Sequence, residues 1–188
     1  MSALPGRGHN NGPTMEGGYR YRKHQWQKAR EALLPTLPLF VLKMRVKRAK
    51  DLGLDYKTYA GVRASTGRDV IGFLFSSNAL RMTSVTLPDD TAQQVAEIKG
   101  AGKIALVHRP LDPAAVMEAN EGLKAAAAPL FTDSWTEMRH KVANTIKAER
   151  LPADGVLVIG ATSMEREWPA AARAAGYLSA ERYFGDVR

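Results

Sequence analysis

Residues 103–108 read KIALVH and residues 155–159 read GVLVI, and both runs are short and apolar. Runs of this length, rich in β-branched side chains, are typical of strands buried on both faces. A third run, VIGFLF at residues 70–75, fits two structures. Thr66 and Asp69 have the spacing of a capping box, which favours a helix, whereas the aromatic and β-branched content favours a strand. We predict a strand here as well.

The segments around these strands predict helices. Four helices are expected, over Asp89–Lys99, Asp112–Ala128, Asp133–Arg150 and Ser163–Ala175. Tyr177–Phe184 fits either a last edge strand or a docked tail. Strands that alternate with helices form parallel sheets covered by those helices. The sequence therefore predicts the α/β class, with a small, mostly parallel three-layer domain.

The chain before residue 69 has a different composition. Residues 1–18 are rich in Gly, Pro and Asn without periodicity, which predicts a disordered arm. Residues 19–68 are expected to form a basic helical segment. Its predicted helices cover His24–Leu34, the stretch from Pro38 to Gly53, and Asp55–Ser65, with Asp55 as N-cap. The α/β domain would then occupy residues 69–188.

The formal net charge of +8 is unevenly distributed. Residues 1–50 contain 11 of the 27 Lys and Arg residues but only two acidic residues, whereas the rest of the chain is nearly neutral. A focused positive field attracts DNA, RNA, an anionic membrane surface or an acidic protein. A basic, solvated face that only maintains solubility is the alternative.

Several classes of site and location are excluded by composition. The chain has no Cys, which removes disulfides, zinc–thiolate centres, iron–sulfur clusters and Cys nucleophiles. Its four His residues are scattered without metal-ligand spacing, so we expect no metal and no cofactor. No apolar stretch approaches the roughly 20 residues of a membrane-spanning helix, and residues 1–18 lack the apolar region of a signal peptide. A cytoplasmic protein with no membrane partner is predicted.

The basic segment contains the spacing of a helix-turn-helix. Ala49 stands where the two helices would cross, Gly53 where the chain turns, and Tyr59 and Val62 where the second helix would be buried. A helix, a glycine and another helix also occur in many proteins that bind no DNA. With the basic charge beside it, the pattern predicts nucleic-acid binding, most simply to DNA as in a transcriptional regulator. The residues expected to contact nucleic acid are Arg20, Arg22, Lys43, Lys47, Arg48, Lys50, Lys57 and Arg63.

The alternative hypothesis is a small enzyme, or a nucleotide- or phosphate-binding protein. Ligands of open α/β sheets bind beyond the carboxyl ends of the strands. There, His108 could act as an acid or base, Arg109 could hold an anion, and free N–H groups at the next helix could bind phosphate. Polar strand ends and ordinary helix caps explain the same residues without a ligand, Thr162 and Glu165 having capping-box spacing. The candidate crevice residues are Ser77, Asn78, His108, Arg109, Thr162 and Ser163.

A third hypothesis is an adaptor whose basic helices dock an acidic protein partner. In the nucleic-acid hypothesis, the α/β domain would serve for homodimerisation or ligand sensing. No G-x-G-x-x-G, Walker A, G-x-S-x-G or H-E-x-x-H motif is present, so whether the protein is an enzyme stays open.

Two segments of the chain, TYAGVRASTGRD at residues 58–69 and FSSNAL at residues 75–80, resemble a family of small uncharacterised bacterial proteins. The segment GHNNGP at residues 8–13 is similar to a short leader of various small phage-associated bacterial proteins. Neither resemblance implies an activity or a functional residue.

Overall fold

The structure, a computed structural model, describes residues 37–185. Within this range the chain forms seven α-helices and five strands, together with two short 3-10 turns at Ala153–Gly155 and Met164–Glu167. The helices are α1 (Leu39–Asp51), α2 (Tyr56–Thr66), α3 (Asp89–Glu97), α4 (Pro113–Ala119), α5 (Trp135–Ala148), α6 (Trp168–Ala172) and α7 (Ala180–Phe184). The strands are β1 (Gly72–Ser76), β2 (Gly102–Val107), β3 (Lys124–Ala127), β4 (Val156–Gly160) and β5 (Gly176–Ser179). None of the helices in residues 37–185 has the length and apolar character needed to cross a bilayer.

All five strands are parallel and lie in the order β3-β2-β1-β4-β5. The α/β class and the mostly parallel three-layer architecture predicted from the sequence are confirmed. The apolar run at residues 70–75 forms strand β1 at the centre of the sheet, as its β-branched and aromatic residues indicated.

Successive side chains of the central strands face opposite sides of the sheet, and each side has its own core. Phe73 and Phe75 of β1 join a core with residues from α1, α2, α3, α4 and α7. Leu74 lies in the other core, which α5 and α6 cover. The continuous apolar runs of β1, β2 and β4 therefore reflect burial of the sheet on both faces.

The prediction of a helix over 112–128 is confirmed for its first half and wrong for its second half. The helix ends at Ala119, and the alanine run forms strand β3 in parallel pairing with β2. The buried side chain of Asn120 stops the helix, because its amide donates to the carbonyls of Val116 (2.7 Å) and Val85 (2.8 Å). Alanine favours helices intrinsically, but pairing with β2 outweighs that preference here.

The carboxyl-terminal region also differs from the prediction. In place of one helix over 163–175, the chain forms a 3-10 turn and the five-residue helix α6. Trp168 and Pro169 begin α6, and Arg173 ends it in a left-handed conformation. Residues 177–184 were expected to form an edge strand or a docked tail. They contain edge strand β5, which continues directly into the short helix α7.

Helices α1 and α2 share a core with the sheet. Ala49, Leu52 and Tyr59 are at most 1% exposed and pack in the same cluster as Phe73 and Phe75. Residues 40–68, which the sequence assigned to a separate basic segment, thus belong to one compact unit with the α/β residues. The expected arm at residues 1–18 and the helix at residues 24–34 lie outside the described residues.

Candidate functional site

The strand order places a topological switch point between the ends of β1 and β4. From the central strand β1, the chain continues to β2 and β3 on one side, and β4 and β5 lie on the other. The loops that follow β1 and β4 therefore start from neighbouring strands and lead in opposite directions, which is where open α/β sheets bind ligands. The predicted residues Ser77 and Asn78 follow β1, and Thr162 and Ser163 follow β4.

A buried carboxylate occupies this position. The Glu165 side chain is 1% exposed, and Asn78 Nδ2 donates to its Oε1 at 2.8 Å. Its Oε2 accepts from the backbone N–H groups of Ala161 (2.6 Å) and Thr162 (3.0 Å). Three N–H donors thus satisfy a charge that would otherwise be costly to remove from water.

These contacts correct the prediction that free N–H groups would hold a phosphate at this helix start. The N–H groups of Ala161 and Thr162 bind Glu165, so the chain's own carboxylate takes the anion position. The capping-box geometry suggested for Thr162 and Glu165 is present, with Glu165 N donating to Thr162 Oγ1 at 3.4 Å. Ser163 is exposed and forms no capping hydrogen bond with its side chain.

His108 lies between Ser77 and Glu165. Its Nδ1 is 3.0 Å from Ser77 Oγ, and its backbone N–H donates to the same oxygen at 3.0 Å. Its Nε2 is 3.7 Å from Glu165 Oε1, which is an ion-pair distance rather than a hydrogen bond. The ring stacks on Trp168 with centroids 5.8 Å apart and planes inclined by 19°. Two polar contacts and one aromatic face therefore fix the imidazole.

The surroundings of His108 favour its neutral form. Burial lowers the pKa of the imidazole below its usual value, and the nearby charge of Glu165 opposes that effect. The Ser77 hydroxyl and His108 Nδ1 share a hydrogen bond whose donor is set by the imidazole tautomer.

A hydroxyl, an imidazole and a carboxylate thus lie in series, with a hydrogen bond between the first two and an ion-pair distance between the last two. Ser77 is only 3% exposed, so its hydroxyl orients the ring and is poorly placed to attack a substrate. The His108 side chain is 29% exposed and is the member of the series that a ligand can reach. The arrangement is therefore suited to proton transfer at His108.

Arg109 is brought to a different place. It lines a cleft of about 430 Å³ at the ends of β2 and β3, together with Leu111, Ala127, Leu130 and Lys141. Five of the six crevice residues predicted from the sequence are therefore divided between two places, and Ser163 belongs to neither. Ser77, Asn78, His108 and Thr162 join the Glu165 network, whereas Arg109 faces the cleft.

The predicted nucleic-acid contacts also separate into groups. Arg48 makes internal contacts: its Nε donates to Asp69 Oδ2 (3.1 Å), and its Nη atoms donate to the carbonyls of Val70 (2.8 Å), Lys99 (3.0 Å) and Gly100 (3.0 Å). This guanidinium group thereby ties α1 to the loops that precede β1 and β2.

Arg63 is also directed inward. Its Nη1 lies 3.7 Å from Asp69 Oδ1 and 3.5 Å from the hydroxyl oxygen of Tyr59, to which it donates. Val62, expected to be buried, is partly buried against the core. Lys43, Lys47, Lys50 and Lys57 are exposed, whereas Arg20 and Arg22 lie outside the described residues.

Sequence reasoning did not assign functional roles to Glu165 and Trp168. The signal for Glu165 was the Thr-x-x-Glu pattern directly after an apolar strand, which was interpreted as a helix cap alone. Among residues 37–185, no cluster of three or more His, Asp or Glu residues could hold a metal ion. No protein-family model, curated protein or solved structure matches the chain.

Proposed function

We propose that this protein binds a small polar molecule at the crevice between β1 and β4 and exchanges a proton with it through His108. One observation carries the proposal: the buried Glu165 carboxylate lies 3.7 Å from the imidazole of a partly exposed His108. An acid and a base held close together at the ligand-binding edge of an α/β sheet are typical of general acid–base sites.

A purely structural role accounts poorly for this cluster. Capping a short turn requires no buried charge, and an exposed carboxylate such as Glu137 caps α5 equally well. Burial of the Glu165 carboxylate costs free energy, and an exposed capping carboxylate avoids that cost. The cluster is therefore better explained by a demand for charge beside His108.

An unpaired donor lies next to the same ring. The indole Nε1 of Trp168 is buried and finds no acceptor among the described residues. Buried donors are nearly always paired, so this one is an exception beside the His108 ring. In the proposed site His108 transfers the proton, while Ser77 and Glu165 position the ring and Asn78 and Thr162 hold Glu165.

Ligand-observed NMR with a library of small polar fragments tests the proposal on the full chain. We expect fragments that bind the wild type to lose binding in His108→Gln. His140→Gln is the matched control, because His140 is exposed on α5. Fragments that bind both variants equally, or the absence of any binding fragment, would contradict the proposal.

A second candidate function, polyanion binding, is favoured by a separate observation. Lys43, Lys47 and Lys50 are exposed along α1 at positions i, i+4 and i+7, and no acidic residue occurs in α1 before Asp51. Side chains with this spacing share one face of a helix, so three positive charges can contact successive phosphates.

Fluorescence anisotropy with random-sequence duplex DNA and RNA at several salt concentrations tests this candidate. The triple variant K43Q/K47Q/K50Q should reduce the slope of log K against log salt by about 3, because three phosphate contacts are lost. The control K124Q/R139Q/K147Q removes the same charge from exposed positions elsewhere. Equal effects of the two triple variants would show that only net charge matters and would exclude a lysine site on α1.

A further inference from the structure

We infer that the cleft beside Arg109 binds a small organic anion with an apolar body. The cleft has a volume of about 430 Å³, within the range of small-molecule pockets. It opens at the ends of β2 and β3, the edge of the sheet at which ligands of this architecture bind. Its apolar lining comes from Val107, Pro110, Leu111, Pro113, Ala127, Ala128 and Leu130.

The charges around the cleft select an anion. Lys141 is paired with Asp133 at 2.6 Å, and the carboxylate of Asp112 accepts from Ala115 N at 3.1 Å as the cap of α4. Arg109 is exposed, and its guanidinium has no hydrogen-bond or ion-pair partner within residues 37–185. Arg109 is therefore the cation at the cleft that remains available within these residues, beside the exposed Asp112 carboxylate, and its planar donors match a carboxylate or a phosphate.

The cleft is lined by residues next to His108 in the chain. Val107 and Arg109, the residues on either side of His108 in the chain, both line the cleft, whereas the His108 ring lies against Ser77 and Trp168. This part of the inference rests on the proposed function: the cleft would hold the body of the molecule whose reacting group meets His108. The substrate class is then a small carboxylate or phosphate ester that carries a hydrocarbon or aromatic group.

Three probes separate charge from apolar contact: benzoate, phenyl phosphate and uncharged benzyl alcohol. Each is titrated into the full-length protein and followed through backbone amide signals in ¹H–¹⁵N NMR spectra. We expect benzoate or phenyl phosphate to shift the amides of Ala127, Ala128 and Leu130 in a saturable way. Benzyl alcohol should bind at least tenfold more weakly.

Arg109→Gln should weaken binding of the anionic probe at least tenfold, whereas Arg139→Gln, an exposed arginine on α5, should leave it unchanged. Equal affinity for benzyl alcohol, equal binding by Arg109→Gln, or shifts confined to other residues would overturn the inference. His108→Gln separates this inference from the proposed function. Anion binding that survives in His108→Gln supports the cleft even where the fragment experiment fails for the acid–base site.

Discussion

Gly160 makes room for the buried acid at the end of β4. A Cβ atom at this position would lie 2.7 Å from Tyr177 Cε2 and 2.9 Å from Glu165 Cβ, closer than real Cβ contacts. We expect Gly160→Ala to lower the free energy of unfolding by about 1–3 kcal/mol through overpacking. Denaturant unfolding followed by circular dichroism measures the change.

Gly61 provides the matched control within α2. A Cβ there meets no atom within 4 Å, and alanine is favoured over glycine inside a helix. Gly61→Ala should therefore raise the free energy of unfolding by about 0.5–1 kcal/mol. A Gly160→Ala protein with the same free energy of unfolding as the wild type would contradict the prediction, because Tyr177 and Glu165 would then have moved to accommodate the methyl group at little cost.

His108 should make stability depend on pH below neutrality. Burial lowers the pKa of the folded imidazole below the unfolded value of 6.5. Between these two values the unfolded chain binds a proton that the folded chain does not, so the free energy of unfolding decreases as pH falls. Denaturant unfolding between pH 7 and pH 5 should show this decrease in the wild type and a smaller one in His108→Gln.

His140→Gln is the control for the loss of an imidazole, since His140 is exposed on α5. An identical pH dependence in His108→Gln and the wild type would mean that His108 has the same pKa in the folded and unfolded chains. That result would also remove the electrostatic basis for a neutral imidazole at the crevice.

Among the elements, the junction between α4 and β3 depends on Asn120. Its side-chain oxygen accepts from Leu87 N at 2.9 Å, and its amide donates to two carbonyls. Asn120→Ala should cost about 1–3 kcal/mol, because it leaves buried polar groups unpaired. Asn144→Ala, at an exposed position of α5, should change stability by less than about 0.5 kcal/mol. Comparable unfolding midpoints for both variants would contradict this role.

The elements differ in how far the sequence determines them. Strands β1, β2 and β4 could be predicted because each contains a short run of large apolar residues, rich in β-branched or aromatic side chains, which is typical of a sheet buried on both faces. Strand β3 could not, because KAAA has the local preferences of a helix and becomes a strand through pairing with β2. The short strand β5 likewise owes its form to β4, its neighbour.

The position of the candidate site could be predicted from the sequence, but the hydrogen bonds within it could not. Parallel strands end at one edge of a sheet, so Ser77, His108 and Thr162 could be expected near each other. The capping pattern gave no indication that Glu165 would be buried and reach Asn78, which is 87 residues away in the chain. Such contacts depend on the order of the strands, and no local pattern encodes that order.

At the scale of the whole molecule, helices α1 and α2 pack in one core with the sheet. A chain shortened to begin at residue 54 lacks Ala49 and Leu52 of the core and all four hydrogen bonds of Arg48. We expect it to lose cooperative thermal unfolding, measured by circular dichroism and calorimetry. A cooperative transition with unchanged enthalpy would contradict this expectation.

This dependence changes how polyanion binding should be tested. Loss of affinity in a chain without α1 would reflect unfolding, whereas surface substitutions at Lys43, Lys47 and Lys50 leave the core intact. Homodimerisation and docking of an acidic protein partner stay predictions.

The position of β1 in the sheet sets the order in which amide protons exchange with solvent. β1 is hydrogen-bonded on both sides, whereas β3 has one neighbour, β2. Amides of β1 should therefore exchange only through global unfolding, and those of β3 through opening of the sheet edge. The Ser77 loop is attached to the strand that opens last, while the Arg109 cleft has β3 as a wall. In the proposed function, the hydrogen bond with Ser77 would tie His108 to the strand expected to open last, beside a cleft that has an edge strand as a wall.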